Sequence, residues 1–372
     1  MIREIFWLRS IACLCVVLIH SASIMINKMY IETDASLEKG IWTSLLLLLM
    51  FATPLFVFIS EFLIAYSRSV KSPKTFLWKR MKYILFPFIA MAVFYALLSS
   101  VTGKHALSEF GQHLWENLIL GKFHGYFILI IFQFYLLHVL FQRYGQKWSW
   151  KWVLAASLLI NAAYLGYFSF VRTFDDPYSE YQVWWLPFLG WIFYFSSGYY
   201  CGRYFDQVKG FLISYRRWIW AGTAFLACAM LFLHHSGVIT IMSSKRIDVL
   251  LYAIGMIFSL FAVAVQIKSV PRLLVTISQY SFSIYLLHIF FLMCVSKAFS
   301  LLFPALHQPV LLLAALFVGG VCLSWGGAYL LQKLPLSEYL IGKLGKDLPK
   351  EENPAVNKKA PQGREFATGE QV

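Results

Sequence analysis

The chain reads as an all-α, polytopic integral membrane protein with about ten transmembrane helices. Three observations predict that class. Of its 372 residues, 59% are hydrophobic and only 13% charged, against roughly a quarter charged in a soluble domain. Apolar runs near 20 residues recur along almost the whole chain, each long enough to cross the hydrocarbon as a helix with its backbone bonded internally. Aromatic residues make up 18%, with 13 Trp and 21 Tyr, many at run ends where interfacial belts form.

The spans fall at about 6–26, 41–66, 83–102, 126–144, 152–171, 184–203, 218–236, 247–267, 279–299 and 310–333. The first, WLRSIACLCVVLIHSASIMI, has basic residues upstream as a signal peptide does. It is too long for an h-region, carries Arg9 and His20, and is followed by nine similar runs, so it is a retained helix. In the second, Pro54 predicts a kink near mid-membrane. The six Cys all lie within apolar runs without a C-x-x-C pair, and read as small buried hydrophobes. Residues 1–335 form one transmembrane domain and 336–372 a cytoplasmic tail. Within the tail, LSEYLIGKLGK (336–346) predicts a short amphipathic helix on the membrane surface. Residues 349–372 are polar, carry three Pro and predict disorder.

Orientation follows from Lys and Arg. With the N-terminus cytoplasmic, the inner side carries Arg3, Arg9, Arg68, Lys71, Lys74, Lys79, Arg80, Lys82, Arg143, Lys147, Lys151, Arg203, Lys209, Arg216, Arg217, Lys268 and Arg272. The outer side carries Lys28, Lys39, Lys104, Lys122, Arg172, Lys245, Arg246 and Lys297, and most of the acids outside the tail, Asp175, Asp176 and Glu180 among them. An even span count returns the C-terminus to the cytoplasm. The net charge of +14 is therefore mostly a topology signal, and nucleic acid is not an expected partner.

Arg9 and His20 are eleven residues apart, almost three helical turns, so both leave the first helix on nearly one face, about 16 Å apart along its axis. Ionisable groups inside a span are costly and mark function by default. The pair suits a charged substrate whose reactive end reaches into the membrane; equally, Arg9 anchors at the headgroups and His20 is hydrogen-bonded inside the bundle. Glu61, among apolar residues of the second span, pairs with a neighbouring cation, with Arg9 nearest by depth, and orients Arg9 or His20. Lys79, Arg80 and Lys82 open the third helix. They serve topology, or grip phosphates by charge and by the forked hydrogen bonds of Arg80, as a coenzyme A thioester would require. His124, Tyr126 and Gln133 are polar groups near or within the fourth span. In the ninth, Ser281, Tyr285 and His288 fall at i, i+4 and i+7, one face that meets protein or a cavity rather than lipid. The sequence shows no serine-hydrolase elbow, P-loop, dinucleotide fingerprint or metal-ligand cluster.

In order, these strings resemble the membrane-bound acyltransferase family 3. Arg9-x10-His20 matches that family's first-helix pair. Ser60-Glu61-Phe62 stands where it often has Ser-Gly-Phe, with Glu61 replacing Gly. Lys79-x-x-Lys82 with Arg80, followed by Pro87, loosely matches its Arg-x-x-Arg, and Tyr280-Ser281-Phe282-Ser283-Ile284-Tyr285-Leu286-Leu287-His288 matches a late S-Y-S-x-Y-L-x-H-like helix. The resemblance covers about residues 3–335. Its departures are similar to the branch with the biofilm intercellular-adhesion polysaccharide protein C.

The resemblance implies transfer of an acyl group, usually acetyl, from cytosolic acyl-CoA to a hydroxyl of an envelope or extracellular glycan, across a bacterial cell membrane. Acyl-CoA is then a donor substrate rather than a bound cofactor; the glycan acceptor, membrane lipids and glycan-synthesis proteins are the other partners. The candidate catalytic residues are His20, as general base or acyl carrier, with Arg9 and Glu61. Lys79, Arg80 and Lys82 are the candidate donor-binding residues, His124, Ser281, Tyr285 and His288 further candidates, and no metal site is read. The alternatives are a polysaccharide or lipid-linked sugar exporter, whose path Arg9, Glu61 and His20 would line, and a scaffold for glycan synthesis.

The orientation is checked by cysteine labelling in intact cells. A reporter at Asp176→Cys should react from outside, and one at Lys71→Cys only after permeabilisation. The reverse pattern would end the topology and the cytosolic donor with it.

Overall fold

The computed structural model describes residues 2–30, 37–67, 72–102, 107–171 and 184–345. The predicted disordered segment 349–372 and the loop charges Arg68, Lys71, Lys104, Arg172, Asp175, Asp176 and Glu180 lie outside the described residues. Among the described residues there is no strand, and nine helical runs are long and apolar enough to cross a membrane. In chain order the helices are α1 (Arg3–Met29), α2 (Leu37–Leu49), α3 (Ala52–Ser67), α4 (Pro73–Arg80), α5 (Phe86–Thr102), α6 (Phe110–Leu118), α7 (Tyr126–Tyr144), α8 (Trp150–Gly166), α9 (Ile192–Arg203), α10 (Phe205–His235), α11 (Ile247–Ala264), α12 (Arg272–Leu302) and α13 (Pro309–Leu331). The chain is a multi-pass membrane protein.

Helices α1, α12 and α13 pack on one another, and α1 also packs on α3. Ile5, Leu8 and Ala12, all fully buried, repeat at helical spacing along the inner face of α1. Arg3 Nη1 donates to Lys268 O (2.6 Å), while at the far end Lys28 Nζ reaches Ser296 O (3.4 Å). The two helices therefore run parallel. Lys209 lies 3.8 Å from Glu4 at the same end as Arg3. The structure thus gathers Arg3, Lys209 and Lys268 at one end of the bundle, the basic end.

Three predicted elements take a different form. The kink expected at Pro54 is a break at Met50–Phe51 between α2 and α3, within a turn of the proline that cannot donate to the preceding turn. The sixth span, expected at 184–203, is regular only from Ile192; residues 188–190 form a 3-10 turn after Pro187. The polar groups freed by this break are met inside the bundle. Gln133 Nε2 donates to Leu186 O (2.8 Å), its Oε1 accepts from Phe188 N (3.1 Å), and Asn161 Oδ1 accepts from Phe193 N (3.2 Å). Irregular backbone at membrane depth survives only with such internal partners. Third, the surface helix expected over 336–346 is a 3-10 turn, Ser337–Tyr339, and then an irregular strap to Gly345.

Two smaller expectations also change. Helix is already present at Pro73, capped by Ser72, and passes through a π-turn, Met81–Leu85, before Pro87. A proline cannot bond the carbonyl four residues back and crowds it, and widening the preceding turn relieves both. Of the six Cys, Cys13 and Cys201 are buried and Cys15 is intermediate, but Cys228, Cys294 and Cys322 lie on the exterior, where a bilayer covers apolar groups as well as a core does.

Gly198 and Gly202, one turn apart on α9, lie directly against the carbonyls of Phe58 and Phe62 on α3, so an added Cβ at either would overlap them. Small residues at this spacing let two membrane helices approach closely. Gly202→Leu should therefore cost more than the ~1–3 kcal/mol of ordinary overpacking and remove the monodisperse peak on detergent size-exclusion chromatography. Gly222→Ala, with open space around it, should leave that peak intact.

Candidate functional site

A cavity of about 870 Å³ opens among α1, α3, α4, α7 and α12 at the basic end. Arg9, Lys79, Arg80, Tyr135, Ser281, Tyr285 and Lys343 are among its lining. Arg9 is oriented by α12: its Nε donates to Ser281 Oγ (2.6 Å), and that hydroxyl donates in turn to Ser278 O (2.9 Å). The hydroxyl is thereby used as both acceptor and donor, which fixes it. The guanidinium of Arg80 lies over Phe76 (5.2 Å) and Tyr135 (4.9 Å). Lys82, expected beside it, does not line the cavity and lies over Trp78 at 5.1 Å. Phe76, Lys79, Arg80 and Tyr83 recur at helical spacing and share the cavity wall, while Lys82 falls beside that face.

On α12 the cavity lining runs from Ser281 to Tyr285. Beyond Tyr285 lies a cluster of three imidazoles. The ring centroids of His20 and His288 are 5.0 Å apart, those of His124 and His288 5.1 Å, and Tyr95 lies edge-on to His124 at 4.7 Å. The Tyr285 hydroxyl donates to the backbone carbonyl of His124, and its ring is 5.9 Å from His288. The first, fourth and ninth predicted spans thus deliver His20, His124, Tyr285 and His288 to one place. The backbone sets the tautomers. His288 Nδ1 is 2.7 Å from Tyr285 O and His124 Nε2 is 3.2 Å from Leu286 O. A carbonyl only accepts, so these nitrogens carry the protons and the others present lone pairs. His288 Nε2 is buried without a hydrogen-bond partner.

Glu61 is placed differently from the expectation. It meets neither Arg9 nor His20; its Oε1 lies 2.5 Å from His138 Nδ1, both side chains being buried. His138 is the site residue the sequence reading passed over. The signal was present, an ionisable group within the apolar run of α7, and it is the criterion that singled out Glu61 on α3. The pair stands behind the cavity wall: Phe76, which carries Arg80, also lies 6.1 Å from His138. At the opposite end Lys245 is buried over the rings of Tyr126 (4.7 Å) and Trp185 (4.9 Å), and burial pushes its ammonium down to about 7.

Fold and site define a polytopic helical membrane protein with a cation-lined cavity leading toward intramembrane histidines. The chain belongs to the acyltransferase-3 family: the family model described as "Acyltransferase domain" matches residues 2–329. The chain is 41% identical to the "Putative membrane-bound acyltransferase YfiQ" of Bacillus subtilis (strain 168), over 92% of this chain and 95% of that one. It is 28% identical to the "Probable poly-beta-1,6-N-acetyl-D-glucosamine export protein" of Staphylococcus aureus (strain Mu50 / ATCC 700699), over 91% and 95%. To the protein of that name in Staphylococcus epidermidis it is 26% identical, over 91% and 94%. No solved structure matches the chain.

Glu61 and His138 should behave as one unit. Removing either partner leaves the other buried and unsatisfied, a cost of about 1–3 kcal/mol. Glu61→Ala and His138→Ala should each lower the melting temperature in detergent, and the double variant should fall little further. Additive losses would show that the two side chains are not coupled.

Proposed function

We propose that this protein is an O-acyltransferase that moves an acyl group, acetyl by preference, from cytosolic acyl-CoA to a hydroxyl of an envelope or extracellular glycan. The observation that carries the reading is the cavity itself. Its mouth holds Lys79 and Arg80, Arg9 stands on its wall, and the imidazoles follow Tyr285. That order suits a donor with phosphates at one end and a thioester at the other. The basic end faces the cytosol in this reading, as the Lys and Arg asymmetry favours.

In the reaction the acceptor oxygen attacks the thioester carbonyl. A C–O bond forms, the C–S bond breaks, and the leaving thiolate takes up the proton that the imidazole removed from the hydroxyl. His20 is the base and Arg9 holds the donor. Neutral imidazole suits this work near pH 7. His288, whose Nε2 lone pair is uncommitted beside His20, positions it and can relay its proton. The glycan acceptor is suggested by the Staphylococcus relatives, whose name refers to poly-beta-1,6-N-acetyl-D-glucosamine. That same name favours an exporter as the second reading. A cavity whose α12 wall ends at Tyr285 suits transfer at a fixed depth better than passage of a polymer.

The test measures acyl transfer from labelled acetyl-CoA and membrane abundance together. His20→Asn should retain abundance and lose about a hundredfold or more of the activity, the scale of a lost general base. Arg9→Lys keeps the charge without the planar fork and should be impaired less than Arg9→Ala. Normal abundance with near-wild-type transfer in His20→Asn would remove His20 from the reaction. Wild-type protein that transfers no acyl group would favour the exporter.

A further inference from the structure

One wall of the cavity is built by a segment beyond the family's matched residues. After α13 the backbone takes positive φ at Leu336 (60°) and again at Gly342 (81°), and Ile341 between them is fully buried. Ser283 Oγ donates to Ile341 O (2.9 Å), and Gly345 N donates to Gln279 O (3.1 Å). Those anchors on α12 flank Ser281, the residue that orients Arg9. The strap 341–345 is therefore registered on the same turn of helix as the site. Glycine is required at 342 twice over. The φ is left-handed, and a Cβ would overlap the Phe282 ring while sitting 3.4 Å from the carbonyl oxygen of Tyr83.

This fixed path brings Lys343 to the cavity. Lys343, Leu344 and Gly345 all line it, together with Lys79 and Arg80 of α4. The Lys343 ammonium lies 5.3 Å from the centre of the Tyr83 ring, and Tyr83 is itself stacked on Tyr339 (6.2 Å, 16°). Among the described residues no carboxylate is paired with Lys79, Arg80 or Lys343. Three cations lining one opening, none paired with a carboxylate among the described residues, form a receptor for an anion with several charges rather than for a single carboxylate.

We propose that the strap 341–345 is part of the donor site and that Lys343, in place of Lys82, is its third phosphate-binding cation, acting with Lys79 and Arg80 in one cavity on a nucleotide-type polyphosphate thioester. The proposal rests on the reading of the protein as an acyl-CoA-dependent transferase. It adds that the donor site is completed by the chain's own C-terminal strap, outside residues 2–329.

The test titrates coenzyme A into the full-length, detergent-purified protein by calorimetry, with pantetheine as a phosphate-free probe. Lys343→Ala should weaken coenzyme A binding by about tenfold, as loss of a charged partner does, and Lys343→Glu by more. Both should keep the wild-type melting temperature, because the side chain is exposed at the opening. Neither should alter pantetheine binding. Lys333→Ala and Lys82→Ala, whose ammoniums lie over Tyr329 and Trp78 away from the cavity, should bind coenzyme A as wild type does. If wild type binds coenzyme A and both Lys343 variants match it, Lys343 is excluded and the donor reading stands. If wild type does not bind coenzyme A, the donor reading falls and takes this inference with it.

Discussion

A guanidinium inside a membrane must be given a fixed acceptor, and the placement of Arg9 on Ser281 constrains much else in this protein. The bond joins residues 272 positions apart and is possible only because α1 and α12 lie parallel and in contact. Cys13, one turn along from Arg9, reaches the carbonyl of the same serine (3.8 Å). On the face that accepts Arg9, α12 presents Tyr285 and His288 further along; on the other side of the same turns Gln279 and Ser283, which flank Ser281, anchor the strap. One polar stripe on one helix thus sets the depth of the cation, the wall of the cavity and the position of the imidazoles.

Much of this was legible in the sequence because helical periodicity is an intrahelical property. The spacing of Arg9 and His20, and of Ser281, Tyr285 and His288, determines which side chains share a face whatever surrounds the helix. What periodicity does not contain is the pairing between helices. Depth suggested Arg9 as the partner of Glu61; the choice of His138 depends on how α3 and α7 are rotated against each other. The broken sixth span was hidden for a related reason. Its residues are apolar enough for a continuous helix, and the irregular backbone is made tolerable by Gln133 and Asn161 on other helices and by Trp191, whose Nε1 donates to Trp185 O. The strap was misread because LSEYLIGKLGK has an amphipathic pattern, while its fold is set by two positive-φ positions and by anchors on α12.

The face of one helix decides which cation serves the cavity. Ser72, Phe76, Lys79, Arg80 and Tyr83 recur at helical spacing and line it, while Lys82 falls beside that face and lies over Trp78. The same run passes through a π-turn ahead of Pro87, and the proline is plain in the sequence. Its effect on the backbone is not, because a proline in a membrane helix can be accommodated by a kink, a break or a π-turn. The break near Pro54 and the π-turn before Pro87 are two such outcomes in one chain.

The way the cations are held bears on what the cavity can bind. Arg80 rests on Phe76 and Tyr135, and Lys343 on Tyr83. A ring face steadies a cation through its quadrupole without cancelling its charge, whereas a carboxylate at the same distance would neutralise it. The nearby acid, Glu61, is instead engaged by His138 behind the wall. The carboxylate has its own buried partner, so it tempers the positive potential of Arg80 without pairing with it. Low-dielectric walls then focus that potential along the cavity. An anionic donor entering from the basic end would feel attraction as far as Arg9, beyond which the lining turns to Tyr285 and neutral rings. In the proposed reading the field would draw in the charged end of such a donor and hold it at the opening, leaving the uncharged reactive end to reach the histidines.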